Sequence, residues 1–422
     1  MKVADLRGRE IFDSRGYPTL ECEVTLESGA SVIASVPSGA STGKNEALEL
    51  RDGGSRLMGK GVTKSIQIIE DVIAPVFIGQ ELNAPAMDEI LVQLDGTQHK
   101  SKLGANTTLA VSMALYRAQS IQEQVSLYEI IAWWCGRESV AMPIPLFNVI
   151  NGGAHADNNL LIQEIMVVPV GAQNFRDALE CSIVLYHELK AILKKKGKSI
   201  AVGDEGGFAP QFSDEIEALN ILNEALLACD KQRSNIFSVA LDMAASQFYK
   251  PRLKKYDWHG DQVTADQMIE YYEQLIDNFP IYSIEDGLAE TDWAGWKKMM
   301  KRLGDRVQIV ADDLTVTNPK FIEKCANEQA ANAVIIKPNQ IGTVTETLQA
   351  MQIAEERDMN IIVSHRSGET EDTFIADLAI GAMAGQFKAG GCARGERMAK
   401  YNRLLRIEDT LMNLMMDTKL TA

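Results

Sequence analysis

Residues 237–242 have the sequence FSVALD, in which an apolar, strand-like run ends in one acidic residue. The same design recurs later in the chain, in IYSIE (281–285), VQIVAD (307–312), VIIK (334–337), NIIVSH (360–365) and GQFK (385–388). The residues that end these segments are 43, 27, 25, 28 and 23 positions apart, and each of the last four steps fits one strand plus one helix. Such a run of βα units predicts a closed parallel barrel, whose strands all end at one mouth.

The residues that end the segments predict metal-assisted proton abstraction at that mouth. They are three carboxylates, two amines and an imidazole, namely Asp242, Glu285, Asp312, Lys337, Lys388 and His365. Three carboxylates in close contact repel one another unless a cation lies between them, and Mg²⁺ prefers oxygen ligands of this kind. A lysine beside a cation can lose its proton near neutral pH and act as a base. Taken singly, each residue has a plainer alternative, an acid that caps a helix or a lysine that reaches solvent.

Adjacent loops supply further candidates, which are Arg366, Ser367, Glu205, Glu164, Gln163 and His155. Arg366 and Ser367 combine a fork-shaped guanidinium with a hydroxyl, and this combination suits a phosphate group. Glu205 is followed by two glycines, which let a loop approach a ligand closely. His155 lies among small residues and asparagines, so a structural role in a turn is its main alternative.

The segment VPSGASTGK (36–44) has to be distinguished from a phosphate-binding P-loop. That motif requires four residues between its glycines and a serine or threonine after its lysine. Here three residues separate Gly39 from Gly43, and Asn45 follows Lys44, so the match fails. We interpret the segment as a mobile loop of small residues that donates a hydroxyl to a closed site.

Length predicts a second domain, because a barrel takes about 250 residues and the chain has 422. The N-terminal part alternates polar and apolar residues in ECEVTL (21–26), and a long helical pattern covers residues 103–124. Prolines in MPIPLF (142–147) then interrupt any helix. We therefore predict an α+β domain of residues 1–134 and a barrel domain of residues 135–422, with Trp133 and Trp134 buried between them.

Composition narrows the class of protein. The formal net charge of −16 argues against direct binding of nucleic acid. The six cysteines form no CxxC pair, so a reducing compartment is expected rather than a disulfide framework or a zinc ribbon. The N-terminus lacks the apolar core of a signal peptide, and the chain has no run of 18 apolar residues that would predict membrane insertion.

The motifs together resemble those of the enolases, the glycolytic phosphopyruvate hydratases, of the bacterial type. The similarity runs from FDSRGYPT to MAKYNRLLRIE and includes VPSGASTG, LGAN, NGGAHADN, GDEGGFAP, SIEDGL, DDLTVTN, IKPNQIG and SHRSGETED. It implies an α/β fold, an enolase-type (β/α)8 barrel with an N-terminal α+β capping domain. It also implies the reversible, Mg²⁺-dependent dehydration of 2-phosphoglycerate to phosphoenolpyruvate. Enzymes of the enolase superfamily use a Lys or His base together with Mg²⁺ for such proton abstraction.

The resemblance assigns roles residue by residue. Asp242, Glu285 and Asp312 would hold a tightly bound Mg²⁺, and Ser41 would meet a second Mg²⁺ when substrate is bound. Lys337 would remove the C2 proton, and Glu205, supported by Glu164, would protonate the departing C3 hydroxyl. The remaining groups of the closed site would be His155, Gln163, His365, Arg366, Ser367 and Lys388, the last three of them contacts of the substrate's phosphate and carboxylate.

The family also implies a homodimer or octamer in the cytoplasm. Some enolases reach the cell surface or are secreted without a signal peptide, bind plasminogen or join an RNA-degradation complex. The sequence departs from the family at Ala389-Gly390-Gly391, where Thr-Gly-Ser is frequent, and at Gln247, where an acid is common. Two alternatives stay open: a related enzyme acting on a phosphonate or another 2-substituted acid, and a protein whose main role is binding.

Overall fold

The structure is a computed structural model that describes residues 1–39, 43–230 and 236–420. Its strands are β1 (Val3–Phe12), β2 (Pro18–Leu26), β3 (Ser31–Ser35), β4 (Ile144–Asn151), β5 (Glu164–Val168), β6 (Ser238–Asp242), β7 (Tyr249–Lys250), β8 (Lys255–Trp258), β9 (Asp261–Val263), β10 (Ile281–Glu285), β11 (Gln308–Ala311), β12 (Ala333–Ile336), β13 (Asn360–Ser364) and β14 (Gln386–Lys388). Its α-helices are α1 (Thr63–Ile68), α2 (Ala74–Phe77), α3 (Ala84–Asp95), α4 (Ala105–Glu123), α5 (Leu127–Trp134), α6 (Phe175–Lys195), α7 (Glu215–Asp230), α8 (Ala265–Asn278), α9 (Trp293–Leu303), α10 (Pro319–Asn327), α11 (Pro338–Ile341), α12 (Val344–Glu356), α13 (Phe374–Gly381) and α14 (Gly395–Leu420).

The N-terminal part combines an antiparallel sheet with helices, as its sequence predicts. Strands β1, β2 and β3 pair in chain order, and α4 packs on β2 and β3. Helix α4 is buried around most of its circumference, which explains why small and apolar residues fill it on every face. Helix α5 begins with a capping box, in which Ser126 and Glu129 satisfy each other's backbone N–H groups.

Eight strands close into the barrel. They follow one another around it in the order β10, β11, β12, β13, β14, β4, β5, β6, so all six segments with charged ends are barrel strands. Six of the eight strand contacts are parallel. The predicted α/β barrel is therefore confirmed, with helices on its outside.

Strand β5 departs from an all-parallel barrel, because it runs antiparallel to both β4 and β6. A loop, and not a crossover helix, joins β4 to β5, and only a crossover would bring the chain back in the parallel direction. The reversal brings Glu164, the first residue of β5, opposite Asp242, the last residue of β6. Val202, which precedes Glu205 in the chain, forms an isolated antiparallel bridge with Phe208.

Apolar side chains fill the barrel interior below the mouth. One interior cluster contains Leu146, Met166, Val168 and Ala240, and a second contains Val310, Ala333, Ile335 and Ile362. Strand side chains alternate between faces, so Ala240 shares a face with Asp242, and Ile335 shares one with Lys337. The charged ends of β6 and β12 therefore lie directly above apolar side chains.

Segments of the N-terminal part cover the mouth. Ser38 and Gly368 exchange backbone hydrogen bonds of 2.8 and 2.9 Å. Nearby, the backbone N–H of Ala47 donates to the carbonyl of Gln340 over 2.8 Å. These contacts bring the residues that flank the 40–42 segment against the loops after β12 and β13.

The interpretation of Trp133 and Trp134 as buried side chains is wrong. Trp133 is 60% exposed and Trp134 is 38% exposed, and their rings stack with centroids 5.6 Å apart. They lie at the end of the short helix α5, where its buried face consists of other residues. Among the described residues, no helix has both the length and the apolar character needed to cross a lipid bilayer.

Candidate active site at the barrel mouth

The six residues at the strand ends gather at one mouth. Five of them line a small cavity of about 60 Å³, together with loop residues that include Glu46. The sixth, Glu285, contacts one of the five, because the Lys388 amine lies 2.8 Å from its Oε2 atom. The barrel topology therefore brings the six residues together, as the sequence pattern predicts.

The amine of Lys388 is surrounded by carboxylates. It lies 2.8 Å from Oε2 of Glu164 and 3.1 Å from Oδ2 of Asp242, in addition to its contact with Glu285. Burial favours the neutral amine, but the negative charges of Asp242, Glu164 and Glu285 prevail and raise the pKa of Lys388 well above its usual range. Lys388 is therefore a fixed positive charge at the centre of the site.

The three predicted metal ligands affect one another's ionisation. Burial, and then the charge of Asp242, raise the pKa of Glu285 well above its ordinary value. Burial likewise raises the pKa of Asp242, against the opposing effect of Lys388. Burial would also raise the pKa of Asp312, but the charge of Lys337 outweighs it and lowers this pKa. Three carboxylates thus share a confined space that demands positive charge.

Lys337 is held by a small polar network. Its amine contacts Oδ2 of Asp312, and its backbone N–H donates to the Thr317 hydroxyl over 2.8 Å. The Gln340 amide donates to the other oxygen of Asp312 over 3.2 Å and accepts from Thr317 over 2.7 Å. Burial lowers the pKa of Lys337, but Asp312 more than compensates and raises it, so this arrangement holds Lys337 as an ammonium.

Glu205 lies between two histidines. Its Oε2 atom is 3.3 Å from Nδ1 of His155 and accepts a 3.0 Å hydrogen bond from Asn148, while its Oε1 atom is 3.8 Å from Nε2 of His365. Burial would lower the pKa of His155, but Glu205 and Glu164 raise it to about 10. Burial would raise the pKa of Glu205, but the charge of His155 overcomes it and keeps this pKa well below its usual range. In this pair Glu205 is therefore ionised, and the proton that the two residues share resides on the imidazole of His155.

Arg366 engages a residue from the N-terminal part. Its guanidinium donates to Glu46 over 2.9 Å and to the side chain of Asn339 over 3.2 Å. Ser367 is buried beside it, and both residues line the cavity. Gln163 also lines the cavity, and its amide donates to Asp242 over 3.4 Å. Ser41 lies outside the described residues.

The chain matches two family models. The model described as "Enolase, N-terminal domain" matches residues 3–131, and the one described as "Enolase, C-terminal TIM barrel domain" matches residues 139–417. The chain belongs to the enolase family. It is therefore a member of a family of lyases that bind a divalent metal, and its barrel is the enolase-type barrel.

The acidic residues fit the metal that the enolase family implies. Within the described residues, two groups bring their ligand atoms within 4.8 Å of one another: His155 with Glu164 and Glu205, and Asp286 with Asp312 and Asp313. The predicted set Asp242, Glu285 and Asp312 is not one of these groups, and the amines of Lys388 and Lys337 contact its members. Its chemistry nevertheless suits a divalent cation, because buried oxygen donors with raised pKa values are stabilised by added positive charge.

Three residues of this enolase-family site went unnoticed in the sequence. Asn148 donates to Glu205, Glu46 pairs with Arg366, and Arg397 donates to His365. Glu46 lies two positions after the segment 36–44, a proximity that offered a weak signal. Arg397 has no such signal, because it lies within the charged run RGER at the start of a helix.

A larger cavity of about 1030 Å³ lies away from this chemistry. It is an open groove between α5, the segment 137–145, the segment 169–175 and α14, with Trp133 on its rim. Its lining is mainly apolar and lacks the convergence of carboxylates, amines and histidines seen at the mouth. Size alone therefore does not mark the catalytic site in this fold.

Proposed function

We propose that this member of the enolase family is a phosphopyruvate hydratase, which converts 2-phosphoglycerate reversibly to phosphoenolpyruvate and water. One observation carries the proposal: a single cavity is lined by the half-buried amine of Lys337, the buried carboxylate of Glu205 and the guanidinium of Arg366. Removal of a proton from C2 and loss of a hydroxyl from C3 require such a base and acid, and the phosphate requires such a cation.

Lys337 is the proposed base. As long as its amine contacts Asp312 it remains protonated, so it becomes a base only when that contact loosens. Burial and the neighbouring positive charges of Arg366 and Lys388 already act to lower its pKa and favour the neutral amine. Lys388 is suited to hold the substrate carboxylate, because it keeps its own charge.

Glu205 is the proposed acid, and it works with His155 and Glu164. The proton that the departing hydroxyl takes up resides on the His155–Glu205 pair, whose atoms lie 3.3 Å apart. Glu164 stands 3.5 Å from the same imidazole nitrogen and helps to retain that proton. Arg366, Ser367, Gln163 and His365 complete the binding surface for the substrate.

The proposed cofactor is Mg²⁺, two ions per site. Asp242, Glu285 and Asp312 would hold the first, and Ser41 would contribute to the second in the presence of substrate. When bound, Mg²⁺ supplies fixed positive charge that stabilises the second negative charge developing on the substrate carboxylate. We also propose a domain boundary between residues 134 and 135. A reducing compartment such as the cytoplasm is proposed as well, because none of the six cysteines, all within the described residues, is in a disulfide.

A coupled assay tests the proposal. The purified protein is given 2-phosphoglycerate with Mg²⁺, and formation of phosphoenolpyruvate is monitored with and without a chelator. We expect turnover that the chelator abolishes and that renewed Mg²⁺ restores. The alternative substrate class is tested by adding a phosphonate or another 2-substituted acid to the same mixture. A protein inert toward 2-phosphoglycerate at saturating Mg²⁺ would overturn the proposal.

A further inference from the structure

Arg397 is a buried cation that contacts two loops of the active site. It lies in the first turn of α14 and has no exposed surface. Its guanidinium donates to the carbonyls of Arg366 over 2.6 Å, Ser367 over 2.7 Å and Asp204 over 3.1 Å. A buried charge is costly unless its hydrogen bonds are satisfied, so this set of acceptors fixes both loops relative to the helix.

The same guanidinium contacts the imidazole of His365. Arg397 is the donor to Nδ1, since a guanidinium carries only N–H groups and stays protonated. Nδ1 must therefore be the nitrogen without a proton, and the proton of a neutral imidazole must reside on Nε2. Nε2 is the atom that lies 3.8 Å from Glu205. The contact thus aims an N–H group at the carboxylate proposed as the acid.

Other charges around His365 do not reverse this arrangement. Burial and then the charge of Arg397 lower the pKa of His365 well below its ordinary value, although the charge of Glu164 opposes them. The charged or titratable groups that face the ring are Glu205, Arg397, Glu164, Lys388 and Lys337. On the other side of Glu205, His155 has a pKa raised to about 10. Two histidines in opposite protonation states therefore flank one carboxylate.

The loop after β14 makes room for Arg397. Gly390 has a φ of +84°, and a Cβ atom there would lie 2.7 Å from Cδ of Arg397 and 2.7 Å from the carbonyl oxygen of Glu205. The Tyr401 hydroxyl donates to the Gly390 carbonyl over 2.7 Å and holds the loop in place. Gly390 thus allows the guanidinium to reach His365, and the glycine-rich stretch at 389–391 has a direct structural use.

We propose that Arg397 is a positioning residue that holds His365 as the neutral tautomer with its proton on Nε2, directed at Glu205. The proposed effect on catalysis rests on the function proposed above. The tautomer itself does not, so the two can fail separately.

The first test uses the unaltered protein. The chain has five histidines, so ¹⁵N labelling of histidine gives a spectrum simple enough to assign, with His365→Gln identifying the His365 signals. We expect Nε2 to be protonated and Nδ1 to be unprotonated throughout the range of about pH 5 to 8 in which histidines ordinarily titrate. A proton on Nδ1, or titration of His365 within that range, would overturn the proposal even if the enzyme is active.

The second test compares Arg397→Lys and Arg397→Gln with Arg403→Gln. Arg403 is on the same helix but pairs with Asp377, away from the cavity, and is thus a matched control. For the Arg397 variants we expect kcat to fall tenfold or more, a new loss of activity as pH drops through about 6.5, and a titrating His365 signal. The control should show none of these changes. Circular dichroism shows whether the Arg397 variants fold. If they fold and keep the original pH profile and His365 signals, Arg397 has only a structural role and the proposal is contradicted. If they do not fold, the tautomer measurement on the unaltered protein decides.

Discussion

The Lys388 amine lies 2.8 Å from Oε2 of Glu285, and both side chains are buried. Burial and the charge of Asp242 raise the pKa of Glu285 well above its ordinary value, and the charge of Lys388 opposes this rise without cancelling it. Lys388 thereby supplies part of the positive charge that this acidic mouth requires. Its contribution to stability should depend on whether a metal ion shares that task.

Replacement of Lys388 by methionine tests this dependence. In a chelator we expect the free energy of unfolding to fall by about 3–5 kcal/mol, since the change leaves buried carboxylates without a partner. In Mg²⁺ the loss should be smaller, because a bound cation also compensates those charges. Urea unfolding in the two buffers measures the difference.

Lys298→Met is the control for that experiment. Lys298 pairs with Asp266 at the surface, where both side chains are 55% exposed, so its loss should cost at most about 1 kcal/mol in either buffer. Equal destabilisation of Lys388→Met with and without Mg²⁺ would mean that the metal does not share the site with this lysine.

Lys337→Ala should abolish most turnover and spare binding. A general base contributes about 10²–10⁴-fold to the rate, so kcat should fall by at least that factor, whereas the phosphate contacts of Arg366 remain. Steady-state assays give kcat, and calorimetric titration with substrate and Mg²⁺ gives the affinity. Lys297→Ala, at an exposed ion pair with Glu328, serves as the control. Near-normal turnover in Lys337→Ala would remove Lys337 from the role of base.

His155 should make stability depend on alkaline pH. Burial would lower its folded-state pKa, but Glu205 and Glu164 raise it to about 10. The stabilisation from the protonated ring is therefore fully present below about pH 6.5, the ordinary value, and is lost as pH rises through about 10. We expect His155→Gln to be less stable than the unaltered protein at about pH 6.5 and the difference to shrink toward about pH 10.

Urea unfolding at several pH values measures that difference. His187→Gln is the matched control, because the same substitution is made at an exposed histidine that does not line the cavity at the barrel mouth. A difference between His155→Gln and the unaltered protein that stays constant from about pH 6.5 to 10 would contradict the proposed charge pairing.

The two tryptophans 133 and 296 should respond very differently to truncation. Trp296 has no exposed surface and its indole N–H donates to the Ala289 carbonyl, so Trp296→Ala should cost about 3–5 kcal/mol. Trp133 is 60% exposed, and Trp133→Ala should cost much less. Denaturant unfolding gives both values. A large cost at Trp133 would contradict the exposure of this side chain seen in the structure.

The barrel and most of its mouth could be predicted because their signals are local. A run of apolar residues that ends in one charged residue, repeated at the length of a βα unit, determines both the strand and the direction in which its end points. Asp242, Glu285, Asp312, Lys337 and Lys388 all satisfy this pattern. The structure brings these five residues together because the parallel strands that carry them all end at the same mouth of the barrel.

Residues that act across long sequence separations could not be predicted. Glu46 meets Arg366 across 320 positions, and Arg397 meets His365 across 32, in each case without a local motif. The exposure of Trp133 could not be predicted either, since the sequence shows an apolar side chain and not the empty space beside it.

The reversed strand β5 affects how functional residues can be found in barrels of this kind. On a parallel barrel strand, the residue at the mouth is the last residue of the strand. On an antiparallel strand such as β5, it is the first. Glu164 opens its strand and still stands level with Asp242, which closes the neighbouring one. A survey that inspects only the C-terminal end of each hydrophobic run would pass over this acid. Both ends of a run therefore need inspection wherever two barrel strands are joined without a crossover α-helix.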